Sequence, residues 1–77
     1  MRVRANTIIA MGPYEAVVSI AKSDGGKEEV VVDAKSIEDK TIEVGQVFSE
    51  GDRVLVELPR ESATGNWRIW VPSSSIK

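Results

Sequence analysis

Apolar and polar residues alternate most cleanly over Val54-Leu55-Val56-Glu57-Leu58 and Trp67-Arg68-Ile69-Trp70-Val71, the period of half-buried strands. Gly51-Asp52 supplies a turn before the first segment. Pro59 and Pro72 stop the ladders, because proline has no N–H to donate. The polar run Arg60 to Asn66 predicts the loop between them. One register satisfies both strands. Val56 opposite Ile69 puts Val54 opposite Val71 and Leu58 opposite Trp67, six residues on one inner face. The same register sets Glu57 against Arg68 and leaves Leu55 opposite Trp70 on the outer face.

The rest of the chain reads as further short strands. Arg2 to Met11 predicts one long first strand, ended by Gly12-Pro13. Tyr14 to Lys22 predicts a second, with Tyr14, Ala16, Val18 and Ile20 facing inward. Ser23-Asp24-Gly25-Gly26 is a turn. Glu28 to Ala34 is the third strand, and pairing Ile20 with Val30, Val18 with Val32 and Ala16 with Ala34 keeps one face apolar. Lys35 to Lys40 predicts a helical turn capped by Ser36. Thr41 to Val44 is a short strand or extended connector, Phe48 plugs one end of the fold, and Ile76 is tucked back as an apolar anchor after a final turn. No internal repeat is visible. Five strands in a single domain, residues 1–77, predict an all-β fold, a small five-stranded barrel.

Composition narrows the function. With 77 residues, such a domain buries only about 60% of its unfolded surface. There is no cysteine and no histidine, which removes disulfides, thiolate metal sites, the commonest general base and the commonest metal ligand. No Ser sits beside a recognisable base, and a barrel this small has little room for a cleft holding a carboxylate pair. The expectation is a protein that is not an enzyme and has no cofactor. The apolar runs are too short to span a membrane, and Met1-Arg2-Val3-Arg4 does not open a secretory signal, so a cytoplasmic protein is expected. Ten basic and twelve acidic residues give a net charge of −2, against the usual excess of Lys and Arg in nucleic-acid binders.

The strand order, with Glu50-Gly51-Asp52-Arg53-Val54-Leu55-Val56-Glu57-Leu58 followed by a loop and Arg68-Ile69-Trp70-Val71, resembles the five-stranded OB barrels of the bacterial translation initiation factor one class and related ribosomal RNA-binding OB domains. The ending Trp70-Val71-Pro72-Ser73-Ser74 is similar to the close of SH3 domains, which makes an SH3-like barrel the alternative. The OB resemblance implies a non-enzymatic binding module acting on RNA or the translation apparatus. The chain departs from that family on its second and third strands. Their outward positions, Glu15, Val17, Ser19, Ala21, Glu29, Val31 and Asp33, offer no stacking platform and would repel phosphate.

The candidate surface is therefore the hairpin's outer face, Leu55, Arg68 and Trp70, joined by Arg53 and Arg60. An outward tryptophan beside arginine can stack on a base or anchor a protein interface. The competing reading packs Trp70 under the first strand or the Pro72–Ile76 tail. Arg2, Arg4, Arg53, Arg60 and Arg68 form a basic strip if the first strand neighbours the hairpin, and are scattered solvated charges if it does not. The expected partner is RNA, or else a protein or a second copy of the chain. Glu28, Glu29, Asp33, Glu38 and Asp39 lack the spacing of a calcium loop and read as a solvated face.

Overall fold

The computed structural model of the chain describes residues 1–77 as an all-β domain of eight strands. They are β1 (Arg2–Arg4), β2 (Asn6–Met11), β3 (Glu15–Ala21), β4 (Lys27–Asp33), β5 (Thr41–Glu43), β6 (Gly45–Glu50), β7 (Arg53–Glu57) and β8 (Arg68–Pro72). Short 3-10 turns follow β4 at Ala34–Ser36 and β8 at Ser73–Ser75. The strands form three sheets, β1-β5, β2-β3-β4 and β6-β7-β8, with every pair antiparallel.

The chain is built from two structurally equivalent halves. A shift of 39 positions, as from Arg2 to Thr41, carries β1 onto β5, β2 onto β6, β4 onto β8 and the first 3-10 turn onto the second. Shifting β3 by one residue fewer reproduces the ladder of β7. Thus Ile9↔Val17 becomes Phe48↔Leu55, and Ala10↔Ala16 becomes Ser49↔Val54. Each ladder has its bulge at the same place, between Thr7 and Ile9 and between Gln46 and Phe48. Isolated hydrogen bonds repeat too. Ala5 N–H donates to the Lys40 carbonyl and Val44 N–H to the Met1 carbonyl, both at 2.8 Å. Ala34 N–H donates to Tyr14 and Ser73 N–H to Asp52, again both at 2.8 Å. The β1–β5 pair lies on the symmetry element. Val3 faces Ile42, its own equivalent, with Arg2↔Glu43 and Arg4↔Thr41 on either side.

One core serves both halves. Its thirteen buried residues are Val3, Ala5, Val18, Ile20, Val30 and Val32 from the first half and Ile42, Val44, Val54, Val56, Leu58, Ile69 and Val71 from the second. Each first-half member has its equivalent in the second, and the equivalent of Val54 is Ala16, also buried. Ile37 and Ile76 occupy equivalent positions and pack against the core from the ends. The halves also hold each other by their loops. Ser23, in the β3–β4 loop, donates its N–H to the Trp70 carbonyl of β8 at 2.9 Å, and Ala63, in the β7–β8 loop, donates to the Glu29 carbonyl of β4 at 2.8 Å.

Several expectations are corrected. The first strand is two, because Ala5 turns into the core and the chain leaves one sheet for another there. β3 and β4 pair two residues out from the expected register, with Val18 opposite Val30 and Ala16 opposite Val32. A tighter turn sets this register. Lys22 N–H reaches the Gly26 carbonyl at 2.8 Å, and the Asp24 carboxylate accepts from Gly26 N–H at 2.8 Å. The segment after β4 is a 3-10 turn capped by Asp33, not Ser36. Phe48 is not a plug, because it stands exposed on β6. Tyr14 and Trp67 lie outside the core at 72% and 53% exposure. The β7–β8 register is the expected one from Val54↔Val71 to Glu57↔Arg68, and the Leu58 N–H bonds the Trp67 carbonyl at 2.8 Å. No helix is long and apolar enough to cross a membrane.

Candidate functional site

Residues directly opposite on neighbouring strands share a face, so the registers define the outer surface of β6-β7-β8 row by row. The middle row is Phe48, Leu55 and Trp70. One flanking row holds Glu50 and Arg53, paired at 2.6 Å. The other holds Glu57 and Arg68, paired at 3.0 Å. The Phe48 edge meets the Trp70 ring at a centroid distance of 6.3 Å and an interplanar angle of 85°. The Arg53 guanidinium lies 4.0 Å from the Trp70 ring centre, within cation–π range. Trp70, half-buried, is thus covered in part by Phe48 and Arg53.

The structure brings Leu55, Trp70, Arg53 and Arg68 together and separates Arg60 from them. Arg60 pairs with Glu15 of β3 at 3.0 Å, beside the other three-stranded sheet. Arg2 is occupied as well. It donates to the Thr41 hydroxyl at 2.8 Å and to the Ser36 carbonyl at 2.7 Å, and lies 3.5 Å from Glu43. The five arginines make no basic strip, because four are ion-paired in three different places. Comparison of the chain with protein-family models, with curated proteins and with solved structures finds no match.

Beside Trp70, Lys22, Arg53, Arg68 and Asn66 help to line a shallow cleft of about 250 Å³. On the equivalent sheet, β2-β3-β4, the middle outer row is Ile9, Val17 and Val31. It is aliphatic where the second half is aromatic. The sequence reading places Phe48 as an end plug because it assigns no strand before the Gly51-Asp52 turn. Its signal was an apolar residue opposite Leu55 across the tight Gly51-Asp52 turn.

A second site corrects the expectation that Glu28 belongs to a solvated acidic face. Glu28 of β4 is 2% exposed. It sits in phase with Val30 and Val32, so its side chain points inward. The Ser62 hydroxyl donates to Glu28 Oε2 at 2.5 Å, the Thr64 hydroxyl donates to the same oxygen, and Lys22 Nζ lies 3.5 Å from Oε1. The Ser62 bond foremost, then Thr64, and then the Lys22 charge hold the carboxyl below its ordinary value of 4.5 against the opposing effect of burial. No buried side-chain polar atom is left without a partner. This carboxylate is therefore a structural tie between the halves rather than a poised acid or base.

Proposed function

We propose that the chain is a non-enzymatic binding module whose docking surface is the outer face of β6-β7-β8, with a protein as its partner. The observation that carries this reading is the row Phe48-Leu55-Trp70 between the Glu50–Arg53 and Glu57–Arg68 pairs. An apolar, aromatic centre inside a charged rim is the anatomy of a protein interface. Tryptophan and arginine at such a centre are the usual anchors. The arginines weigh toward protein over RNA, since Arg53, Arg60 and Arg68 are each engaged by a carboxylate, which offsets their attraction for phosphate.

A second reading keeps the OB-like barrel and RNA. Its support is the Gly51–Leu58 strand, the Arg53 stack on Trp70 and the cleft that Lys22, Arg53 and Arg68 line. Immobilised wild-type chain, beside Trp70→Ala and Phe48→Ala, separates the two when offered a cell extract and, apart from it, single-stranded RNA at low salt. A protein retained by wild type and lost by both variants supports the docking face. A buried Trp anchor contributes about 2 kcal/mol or more, a loss of about thirty-fold in affinity. RNA retained at low salt, released as salt rises and lost in Arg53→Ala and Arg68→Ala turns the assignment to the second reading. Retention of neither sinks both.

A further inference from the structure

Four of the six left-handed positions in the chain are glycines, Gly12, Gly25, Gly51 and Gly65. The other two are Asp39 and Lys40, adjacent in the chain and both exposed. They form the turn that joins the halves, closed by the Glu38↔Thr41 bridge. A side chain on a left-handed residue crowds its own backbone. The turns inside each half therefore place glycine where the backbone needs it, and the strained turn is the one whose opening separates the halves. Neither half has a core of its own, because the thirteen core residues form one cluster drawn from both. The halves are tied further by the β1–β5 ladder, by the bonds from Ser23 to Trp70 and from Ala63 to Glu29, and by the Ser62 and Thr64 hydroxyls on Glu28. None of these ties uses Asp39 or Lys40. They require a first half to meet a second half, whichever chain each belongs to.

We propose that two copies of the chain exchange halves, residues 1–38 of each packing on residues 41–77 of the other, with Asp39-Lys40 as the hinge. The occupant follows from the closed fold. The surface freed when the turn opens is shaped to the first half of this chain, and a second copy is the partner that carries it. Charge at the hinge favours the open form. In two extended hinges the Glu38↔Thr41 bridge, now between chains, continues as an antiparallel pair. That register sets Asp39 of each copy opposite Lys40 of the other, two pairs of opposite charge. In the closed turn neither residue is in an ion pair. Opening also releases both from the left-handed region, and short hinges under strain are the ones that invite exchange. The sheet β6-β7-β8 belongs wholly to the second half, so each lobe of the exchanged dimer keeps one outer face of the kind described above.

The test reads which chain each half belongs to. The chain has no cysteine. Glu29→Cys with Ala63→Cys places one on each half, at exposed positions whose backbones are bonded at 2.8 Å. The double variant, its folding checked by circular dichroism, is held at high concentration, separated by size, diluted and treated with a short bismaleimide. The expected result is a dimer fraction that grows with concentration and whose cross-link joins two chains on a denaturing gel, beside a monomer fraction cross-linked within one chain. Lys40→Gly relieves the closed turn and removes the hinge charge pair, and it should weaken dimerisation about ten-fold. Deleting Asp39 and Lys40 leaves too little chain to reverse direction, and gives a dimer at every concentration. Trp70→Ala exchanges like wild type. A chain that is monomeric at every concentration overturns the proposal. So does a dimer cross-linked only within its chains, or a deletion variant that folds as a monomer. A dimer lost in Trp70→Ala assigns the contact to the outer face instead. Should the cysteine or deletion variant fail to fold, the wild-type dimer is followed by sedimentation, and a dimer that Lys40→Gly leaves undiminished overturns the proposal.

Discussion

The two halves of the chain share a scaffold and differ in what they display. Inside, the substitutions between them are conservative, with Val3 matched by Ile42, Ala5 by Val44, Ile20 by Leu58 and Val30 by Ile69. Outside, Val17 is matched by Leu55, Val31 by Trp70 and Ile9 by Phe48. Glu28 is matched by Trp67, a buried carboxylate against a ring more than half exposed. The core keeps its apolar character at every one of these pairs, with no change larger than Ala to Val, while a surface row is free to acquire aromatic character. The difference teaches that the shared frame belongs to folding, whereas the second half's aromatic row needs another explanation, for which docking is proposed above.

The largest effects should come from the residues on the symmetry element. Ile42→Ala empties space in the centre of the one core and is expected to cost about 3 kcal/mol, out of about 4–12 kcal/mol in total for a domain of this size. Its equivalent Val3→Ala removes one carbon fewer and should cost somewhat less. Both should lower the midpoint of a single urea transition followed by circular dichroism. Two separate transitions, with only one moved by each substitution, would show that the halves fold independently and that the shared core is not their common support.

Much of the frame was legible beforehand and the equivalence of the halves was not. The β7–β8 register followed from alternation, two prolines and one charge pair. That equivalence was hidden for two reasons. Few positions keep the same residue, among them Gly12/Gly51, Val18/Val56, Val32/Val71 and Ile37/Ile76. The turn before β3 also has one residue more than the turn before β7, so no single offset aligns both halves. What the halves share is burial and hydrogen bonding, which different apolar residues satisfy equally. Glu28 was missed because a charge in phase with a core face argues for a different register until Ser62 and Thr64, more than thirty positions away in the chain, are seen to receive it. Of the candidate surface, the outer pair Leu55/Trp70 was legible, whereas Phe48 and the position of Arg60 depended on tertiary pairing.

The Glu28–Trp67 contrast gives the next effect. Glu28→Ala leaves the Ser62 and Thr64 hydroxyls without their acceptor and should cost about 2 kcal/mol, while Trp67→Ala should change stability by under about 0.5 kcal/mol. The pH dependence has a definite sign. A carboxyl held below its ordinary 4.5 in the fold contributes stability that is fully present above that value and lost as pH falls through the folded value. Urea midpoints between neutral pH and pH 3 should therefore fall less steeply in Glu28→Gln than in wild type. Equal slopes would mean that the buried carboxylate is not what acid removes.

The smallest effect lies where the halves join. Glu38 and Thr41 exchange backbone hydrogen bonds of 3.0 and 2.8 Å across a two-residue turn, Asp39-Lys40. Both turn residues are left-handed, with φ of 49° and 59°. That is the backbone of a type I′ turn, whose preferred residues are Asn, Asp and Gly. Asp39 suits its place and Lys40 does not, because a Cβ in this region meets the following carbonyl. The equivalent of Lys40 in the first half is Met1, whose carbonyl accepts from Val44 N–H as that of Lys40 accepts from Ala5 N–H. Lys40→Gly should relieve about 1 kcal/mol of strain and give back part through the freer unfolded chain. The expected net gain is about 0.5 kcal/mol, read as a small rise in urea midpoint with an unchanged slope. A fall in midpoint would show that the Lys40 side chain contributes more to the junction than its backbone angle costs, and that the two units are held together there by something other than the turn.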